Sequence, residues 1–358
     1  MVKSRVTDRV VAYPWLVLTA LIVSVPVFVL NLWFDFGFDR YFAFFAVVLS
    51  FVFPYLVDKR MNRRQPKKVV FVASSPSQFA NEVWNGIHQR LTSSDHRWSL
   101  TKNILRGEVS GTELARVVRS ELSNGADALC LLPTHTNNEF WNSVERALFA
   151  SVEVIMIDVR PPEYLLSTPG RPRPYYVAGD YFEGGRLLGR AIVEDLQSDL
   201  SANAIVLVGP NQHFSGRSRG REILGEIASA SLLSRVVAIP VDEWTPDPKI
   251  YETIGDAMSS MASSILIYCL HDGLTRSIAD LARSRGIDTS RLRIYAYDGI
   301  RSPDGRIEAI AHGDAFCTVD VRPLEQGEMV GEILNEIRSV GERRAPFDRT
   351  TTPILEMR

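Results

Sequence analysis

The chain is poor in cysteine, with 3 in 358 residues. Cys130, Cys269 and Cys317 are scattered, and each lies in or beside an apolar run. An odd, scattered set supplies neither a disulfide framework nor a zinc cluster, so all three are expected as buried small hydrophobes. An excess of either charge is also missing. Lys and Arg number 40 against 42 Asp and Glu, a formal net charge of -2. A nucleic-acid binder needs a basic face, so no nucleic-acid partner is expected. Neither Gly-x-x-x-x-Gly-Lys-Ser/Thr nor His-Glu-x-x-His occurs, which removes the phosphate-cradling loop and the zinc-protease helix. Gly216-Arg-Ser-Arg-Gly220 does spell Gly-x-Ser-x-Gly. A nucleophile elbow needs its serine on a sharp turn directly between strand and helix. Here residues 209–216 read as a loop that separates Ser218 from the preceding strand. The expectation is a protein that is not an enzyme and uses no metal and no cofactor.

What the chain does have is two long uncharged runs at its start. Val10 to Phe34 contains no charged residue, and Tyr41 to Val57 is a second such run rich in Phe and Val. The first is long enough to cross ~30 Å of hydrocarbon at ~1.5 Å per helical residue. Trp15, Trp33, Tyr41 and Tyr55 lie near the run ends, where aromatic rings favour the membrane interface. A cleaved signal peptide is the competing reading of the first run. No small-x-small site follows it, and a second apolar run comes at once. Residues 1–57 therefore read as a transmembrane hairpin and 58–67 as a basic linker. Lys3, Arg5 and Arg9 precede the hairpin, and Lys59, Arg60, Arg63, Arg64, Lys67 and Lys68 follow it. The positive-inside rule places both ends in the cytoplasm, so the expectation is an inner-membrane protein with a cytosolic soluble part. The basic linker is also suited to anionic lipid.

From Lys68 onward, short apolar runs alternate with amphipathic segments. Val69 to Ala73, Ala128 to Leu132, Val152 to Ile157, Ala204 to Val208, Ile265 to Cys269 and Leu292 to Tyr297 read as buried strands. Helices are expected between them, with one at Ile307 to His312, one over Leu324 to Val340, and a last strand over Thr350 to Leu355. Unbroken apolar strands alternating with helices mean parallel sheets covered on both faces. At the centre lies Tyr176 to Arg190, a strand end, then Asp180 as a helix cap, then Leu187, Leu188, Ile192 and Leu196 at helical spacing. Such units offer small ligands the carboxyl ends of their strands.

With the strand ends laid out, the region from Lys68 resembles the type I periplasmic binding proteins, the ribose-binding-protein-like group. The resemblance rests on Val70 to Phe79 with Gly86 downstream, Gly125 to Thr134, Val154 to Asp158, Gly179 to Arg186, Phe214 to Gly220, Tyr297-Asp-Gly299 and Thr318 to Gly327, in that order. The resemblance implies two similar α/β lobes joined by three crossovers that close on a ligand. The crossovers are expected near Gly179, Val321 and Asp348. One lobe then holds residues 68–179 and 322–347, the other 180–321 and 348–358.

A sugar-like ligand asks for carboxylates, arginine and amides around its hydroxyls and for aromatic rings against its apolar face. Asp158, Asp180, Asp272 and Asp298 are the candidate acceptors, and Arg160 and Arg217 the candidate donors. Phe79, Phe214 and Trp244 are candidates for ring stacking. Ser75, Ser77, Gln78, Thr134, His135 and His271 complete the set. Asp180 and Asp272 read equally well as helix caps, and Arg219 reads as a surface or structural arginine. Val321, Leu132 and Val159 depart from the polar or basic residues that the family pattern implies there, which points to a nucleoside-like or modified sugar. The first functional expectation is a membrane-tethered sensor that closes on its ligand, with a second copy of the chain or a membrane protein as candidate partner. The alternative is the substrate-binding component of an ABC-type sugar transporter, with the soluble part outside.

Overall fold

The computed structural model describes residues 66–106, 109–168, 170–209, 214–242, 244, 246–261, 263–301, 316–340 and 348–357. The two uncharged runs, the linker up to residue 65 and the helix expected at Ile307 to His312 lie outside the described residues. Among the described residues, no helix is long and apolar enough to cross a membrane.

The apolar run at Val69 to Ala73 explains the first lobe. It forms most of β1 (Lys67–Ala73) and is buried along its length. Val70 and Val72 pack with Leu114, Val118 and Phe140, while Val69, Phe71 and Ala73 pack with Val83, Ile87, Ile333 and Leu334. Alternate residues face opposite sides of a strand, so helices on both sides require an unbroken apolar sequence. The same logic builds β2 (Trp98–Ile104), β3 (Ala128–Leu132), β4 (Glu153–Ile157) and β5 (Tyr175–Gly179). Between them run α1 (Gln78–Thr92), α2 (Gly111–Ser123), α3 (Asn138–Phe149) and the short α4 (Glu163–Leu166). Their starts are set by side-chain caps: Ser77 on α1, a Ser110–Glu113 capping box on α2 and Asn137 on α3.

The second lobe repeats the pattern. Its strands are β6 (Asn203–Val208), β7 (Val236–Pro240), β8 (Ile265–Tyr268), β9 (Leu292–Asp298) and β10 (Cys317–Asp320). Its helices are α5 (Tyr181–Ser198), α6 (Phe214–Ser229), α7 (Pro248–Ser260) and α8 (Thr275–Ser284). The chain then returns through α9 (Pro323–Val340) and ends in β11 (Asp348–Thr351) and β12 (Ile354–Met357). The two sheets have matching strand orders, β11-β5-β4-β3-β1-β2 and β12-β10-β9-β8-β6-β7. Among the described residues all pairings are parallel except β10 with β12. This is the two-lobed α/β architecture expected from the sequence, of the periplasmic-binding-protein type I kind, with helices on both faces of mainly parallel sheets.

Helix α9 belongs to the first lobe because it lies against α1 at backbone contact. A Cβ on Gly86 would sit 2.1 Å from the Leu324 carbonyl oxygen, and one on Gly327 would sit 2.1 Å from that of Val83. Only glycine permits that approach.

Three connections pass between the lobes, and they are tied together. The Val321 carbonyl accepts from Gln326 Nε2 at 2.9 Å and from Thr351 Oγ1 at 2.6 Å. The Asp180 amide donates to the Thr351 carbonyl at 3.1 Å. One expectation is corrected here. The last strand, read as continuous over Thr350 to Leu355, is two strands in different sheets. Residues 348–351 pair with β5 in the first sheet, so the third crossover falls at Thr352-Pro353 and not near Asp348. The cause is Pro353, which has no N–H for the ladder and forces the chain to leave it.

Candidate ligand-binding cleft

In both sheets the first strand lies between the two that follow it, β2-β1-β3 and β7-β6-β8, so the strand order reverses there and the carboxyl ends flank a crevice. The two crevices share one cleft of about 350 Å³. One wall comes from the first lobe. Ser75, Pro76, Ser77 and Phe79 follow β1, Thr134 and His135 follow β3, and Asp158 and Val159 follow β4. The opposite wall holds Arg219 from α6, Trp244 after β7, His271 after β8, and Asp298 at the end of β9.

Local structure fixes several of these side chains. Ser77 Oγ accepts from the Ala80 amide at 3.1 Å, which holds the β1 loop against the start of α1. The Thr134 amide donates to Ser74 Oγ at 2.6 Å, and the two hydroxyls lie 2.9 Å apart. Both cleft aspartates sit in left-handed backbone, Asp158 at φ 67° and Asp298 at φ 110°. Such conformations cost ~1–3 kcal/mol each and concentrate at functional sites, where they re-aim a side chain at a strand end.

Arg219 is the centre of the far wall and is 2% exposed. Its guanidinium carbon lies 3.8 Å from the Tyr297 ring centre, 4.8 Å from that of Tyr181 and 5.4 Å from that of Trp244. Nη1 donates to the Leu270 carbonyl at 3.1 Å and stands 3.5 Å from Asp298 Oδ1. The aromatic box stabilises the buried charge through the ring faces. Gly184 makes room for it, because a Cβ there would lie 1.9 Å from the Tyr297 hydroxyl.

The electrostatics follow from burial. Burial raises the Asp158 carboxyl above its ordinary range, with Arg219 opposing. Burial pushes Asp298 up well beyond the usual carboxylate range, against Arg219 and with Asp272 and Asp158 adding to the rise. One guanidinium thus faces two carboxyls, each of which favours a proton more than it would in water. Such carboxyls can donate as well as accept, which suits ligand hydroxyls that do both. Asp158 Oδ1 and Arg219 Nε are buried and have no hydrogen-bond partner among the described residues. Burial lowers His271 to about 4. The imidazole is therefore neutral near pH 7, and Nε2, 3.2 Å from the Trp244 carbonyl, carries the hydrogen that it donates there. Its Nδ1 is left as an acceptor.

Of the residues expected from the sequence, Ser75, Ser77, Phe79, Thr134, His135, Asp158, Trp244, His271 and Asp298 meet around this cleft. The others stand elsewhere. Gln78 reaches across to the Arg301 carbonyl at 3.0 Å. Asp180 accepts from the Glu183 amide at 3.0 Å and caps α5. Asp272 lies behind the wall, where it accepts from the Ile300 amide at 2.9 Å and from Thr318 Oγ1 at 2.7 Å. Arg160, Phe214 and Arg217 line an adjoining cavity of about 330 Å³.

The two arginines of α6 exchange the positions expected for them. Residues two apart on a helix point about 200° apart, so only one of Arg217 and Arg219 can face the cleft. Arg219 shares the face of the buried Ile223 and Ile227, while Arg217 is exposed. That stripe at i, i+4 and i+8 was the available signal, and it lies wholly within a helix begun at either residue. Ser218 lies inside the helix and not on a strand-to-helix turn. Tyr181 and Tyr297, the other parts of the aromatic box, carried no mark in the sequence beyond ordinary core residues.

A family model described as "Periplasmic binding protein domain" matches residues 69–342. No protein of curated function matches. Solved structures share the fold at low identity. An ABC transporter periplasmic solute binding protein from Actinobacillus succinogenes 130z with bound D-allose is 18% identical with a TM-score of 0.66. It covers 81% of this chain and 97% of its own. The Caulobacter myo-inositol binding protein bound to myo-inositol is 15% identical with a TM-score of 0.64, over 82% of this chain and 95% of its own. The periplasmic ribose ABC transporter protein from Conexibacter woesei DSM 14684 is 17% identical with a TM-score of 0.64, over 82% of this chain and 93% of its own. With the greater part of its length matched by that model, the chain belongs to the periplasmic binding protein domain family.

Proposed function

We propose that this protein is a solute-binding protein that captures one small hydroxyl-rich molecule in the cleft and delivers it to an ABC-type transporter. The observation that carries the reading is the convergence of Asp158, Asp298 and Arg219 from opposite walls on one cleft. The volume falls within the ~300–1,000 Å³ typical of small-molecule sites. Asp158 and Asp298 would exchange hydrogen bonds with ligand hydroxyls, and Arg219 Nε would donate to a ring or hydroxyl oxygen. Phe79 and Trp244 would cover the apolar face. Because the two walls come from different lobes, the ligand favours the closed arrangement by its preference for that state alone. A transport role is supported by family membership and by the sugar ligands or sugar-transport roles of the similar structures.

The second reading is the tethered cytosolic sensor. It is favoured by the charge pattern, with basic residues on both flanks of the uncharged runs and Arg40 alone between them. Protease protection on intact cells separates the two. Cleavage beyond Lys68 by external protease supports the transport reading, and full protection supports the sensor. For the ligand, a thermal-shift screen of the whole chain against sugars, polyols and nucleosides tests both at once. No stabilisation by any of them would end the hydroxyl-rich ligand reading.

A further inference from the structure

The second cavity gives the ligand a second part. It is built from both lobes: Thr136, Trp141 and Arg160 on one side, Phe214 and Arg217 on the other. Val159 lines both cavities, so the two adjoin. The Arg160 guanidinium lies 5.9 Å from the Phe214 ring centre, a contact that bridges the lobes. Neither Arg160 nor Arg217 is in an ion pair among the described residues, and Glu163 is the one carboxylate in the lining. The inner cleft has the opposite balance, two carboxyls against Arg219. An anionic group placed inward would meet Asp158 and Asp298, and placed outward would meet two arginine forks suited to carboxylate or phosphate.

We propose that the cognate ligand is a polyol or sugar bearing an anionic substituent, with its hydroxyls in the inner cleft and its anion between Arg160 and Arg217. This deepens the binding reading and rests on it. The charge difference between the two cavities sets the ligand's direction, and the Trp141 and Phe214 rings give the linking atoms an apolar wall.

The test is calorimetric titration of the whole chain with matched probes: D-ribose against ribose 5-phosphate, and D-glucose against glucose 6-phosphate and D-glucuronate. At least one anionic member is expected to bind about tenfold tighter than its neutral partner, a difference of ~1.4 kcal/mol. That advantage is expected to vanish in the Arg160→Gln, Arg217→Gln double variant and to shrink in high salt, since both arginines are exposed. A preference for phosphate over carboxylate, or the reverse, identifies the anion. Neutral probes that bind as tightly as their anionic partners overturn the inference and leave the cleft reading standing. An anionic advantage that survives in the double variant also overturns it. Absence of binding by every probe overturns both.

Discussion

Arg219→Met tests the architecture of the cleft most sharply. Methionine keeps much of the stem volume but removes the guanidinium, which is 2% exposed, boxed by three rings and 3.5 Å from Asp298. Removing one partner of a buried pair typically costs ~3–5 kcal/mol. The low end, about 3 kcal/mol, applies because Asp298 can take up a proton in response. A melting-temperature drop of roughly 6–12 °C follows at ~2–4 °C per kcal/mol. The cost also depends on pH. Asp298 already has a raised value in the folded state. Its stabilising contribution is therefore complete below the unfolded value, near pH ~4, and is lost as pH rises through the folded value. Without Arg219 the folded value rises further, so the variant's deficit is level at low pH and widens once pH passes the native folded value. Near pH 4 the deficit shrinks to the lost ring contacts and the Leu270 hydrogen bond. Adding Asp298→Asn to the variant should recover part of the loss at pH 8. Denaturant melts at pH 5 and pH 8 measure this. A deficit under ~1 kcal/mol at pH 8, or one that is smaller at pH 8 than at pH 5, would contradict this.

Other consequences can be checked with the same preparations. Burial lifts Asp272 to about 7 from an ordinary 3.8, so its contribution is present at low pH and lost as pH rises through about 7. Asp272→Asn should flatten that slope. Its Oδ1 can meet the Ile300 amide while Nδ2 donates to a reoriented Thr318 hydroxyl. Asp272→Ala strands both donors and should cost ~2–4 kcal/mol, read by melts of the two variants across pH 5–8. Gly184→Ala drives a methyl into the Tyr297 hydroxyl and displaces the ring under Arg219. Overpacking of this kind costs ~1–3 kcal/mol, and ligand affinity should fall with it. Cys130, Cys269 and Cys317 are all buried, with the Cys130 thiol pushed up to about 12 by burial. A thiol reagent should therefore label them only as fast as the folded unit opens, and rapid labelling of the native chain would contradict that packing.

The sheet strands were legible because each is an apolar run buried on both faces, and β3 matches its sequence reading residue for residue. The end of the chain was not, since Thr350 to Leu355 has strand composition throughout and only Pro353 marks the crossing. Cleft-lining residues at strand ends, such as Asp158 and Asp298, were readable from where their strands stop. Those on helices depended on phase. On α6 the stripe of Arg219, Ile223 and Ile227 turns Arg219 inward and leaves Arg217 exposed, the reverse of the expectation taken from the resemblance. Asp272 illustrates a different limit. It follows a strand end like the others, but its partners Ile300 and Thr318 lie 28 and 46 residues away in the chain. No local pattern announces them.

In the proposed function a hydroxyl-rich molecule is held between the two lobes by Asp158, Asp298 and Arg219. The direct measurement is a titration of the native chain and of Asp298→Asn with the tightest-binding member of a sugar and polyol panel. A single saturable site is expected in the native chain, with at least about tenfold weaker binding in the variant, the loss expected when a buried ligand hydroxyl loses a matched hydrogen-bond partner. Equal affinity in the two proteins would contradict it.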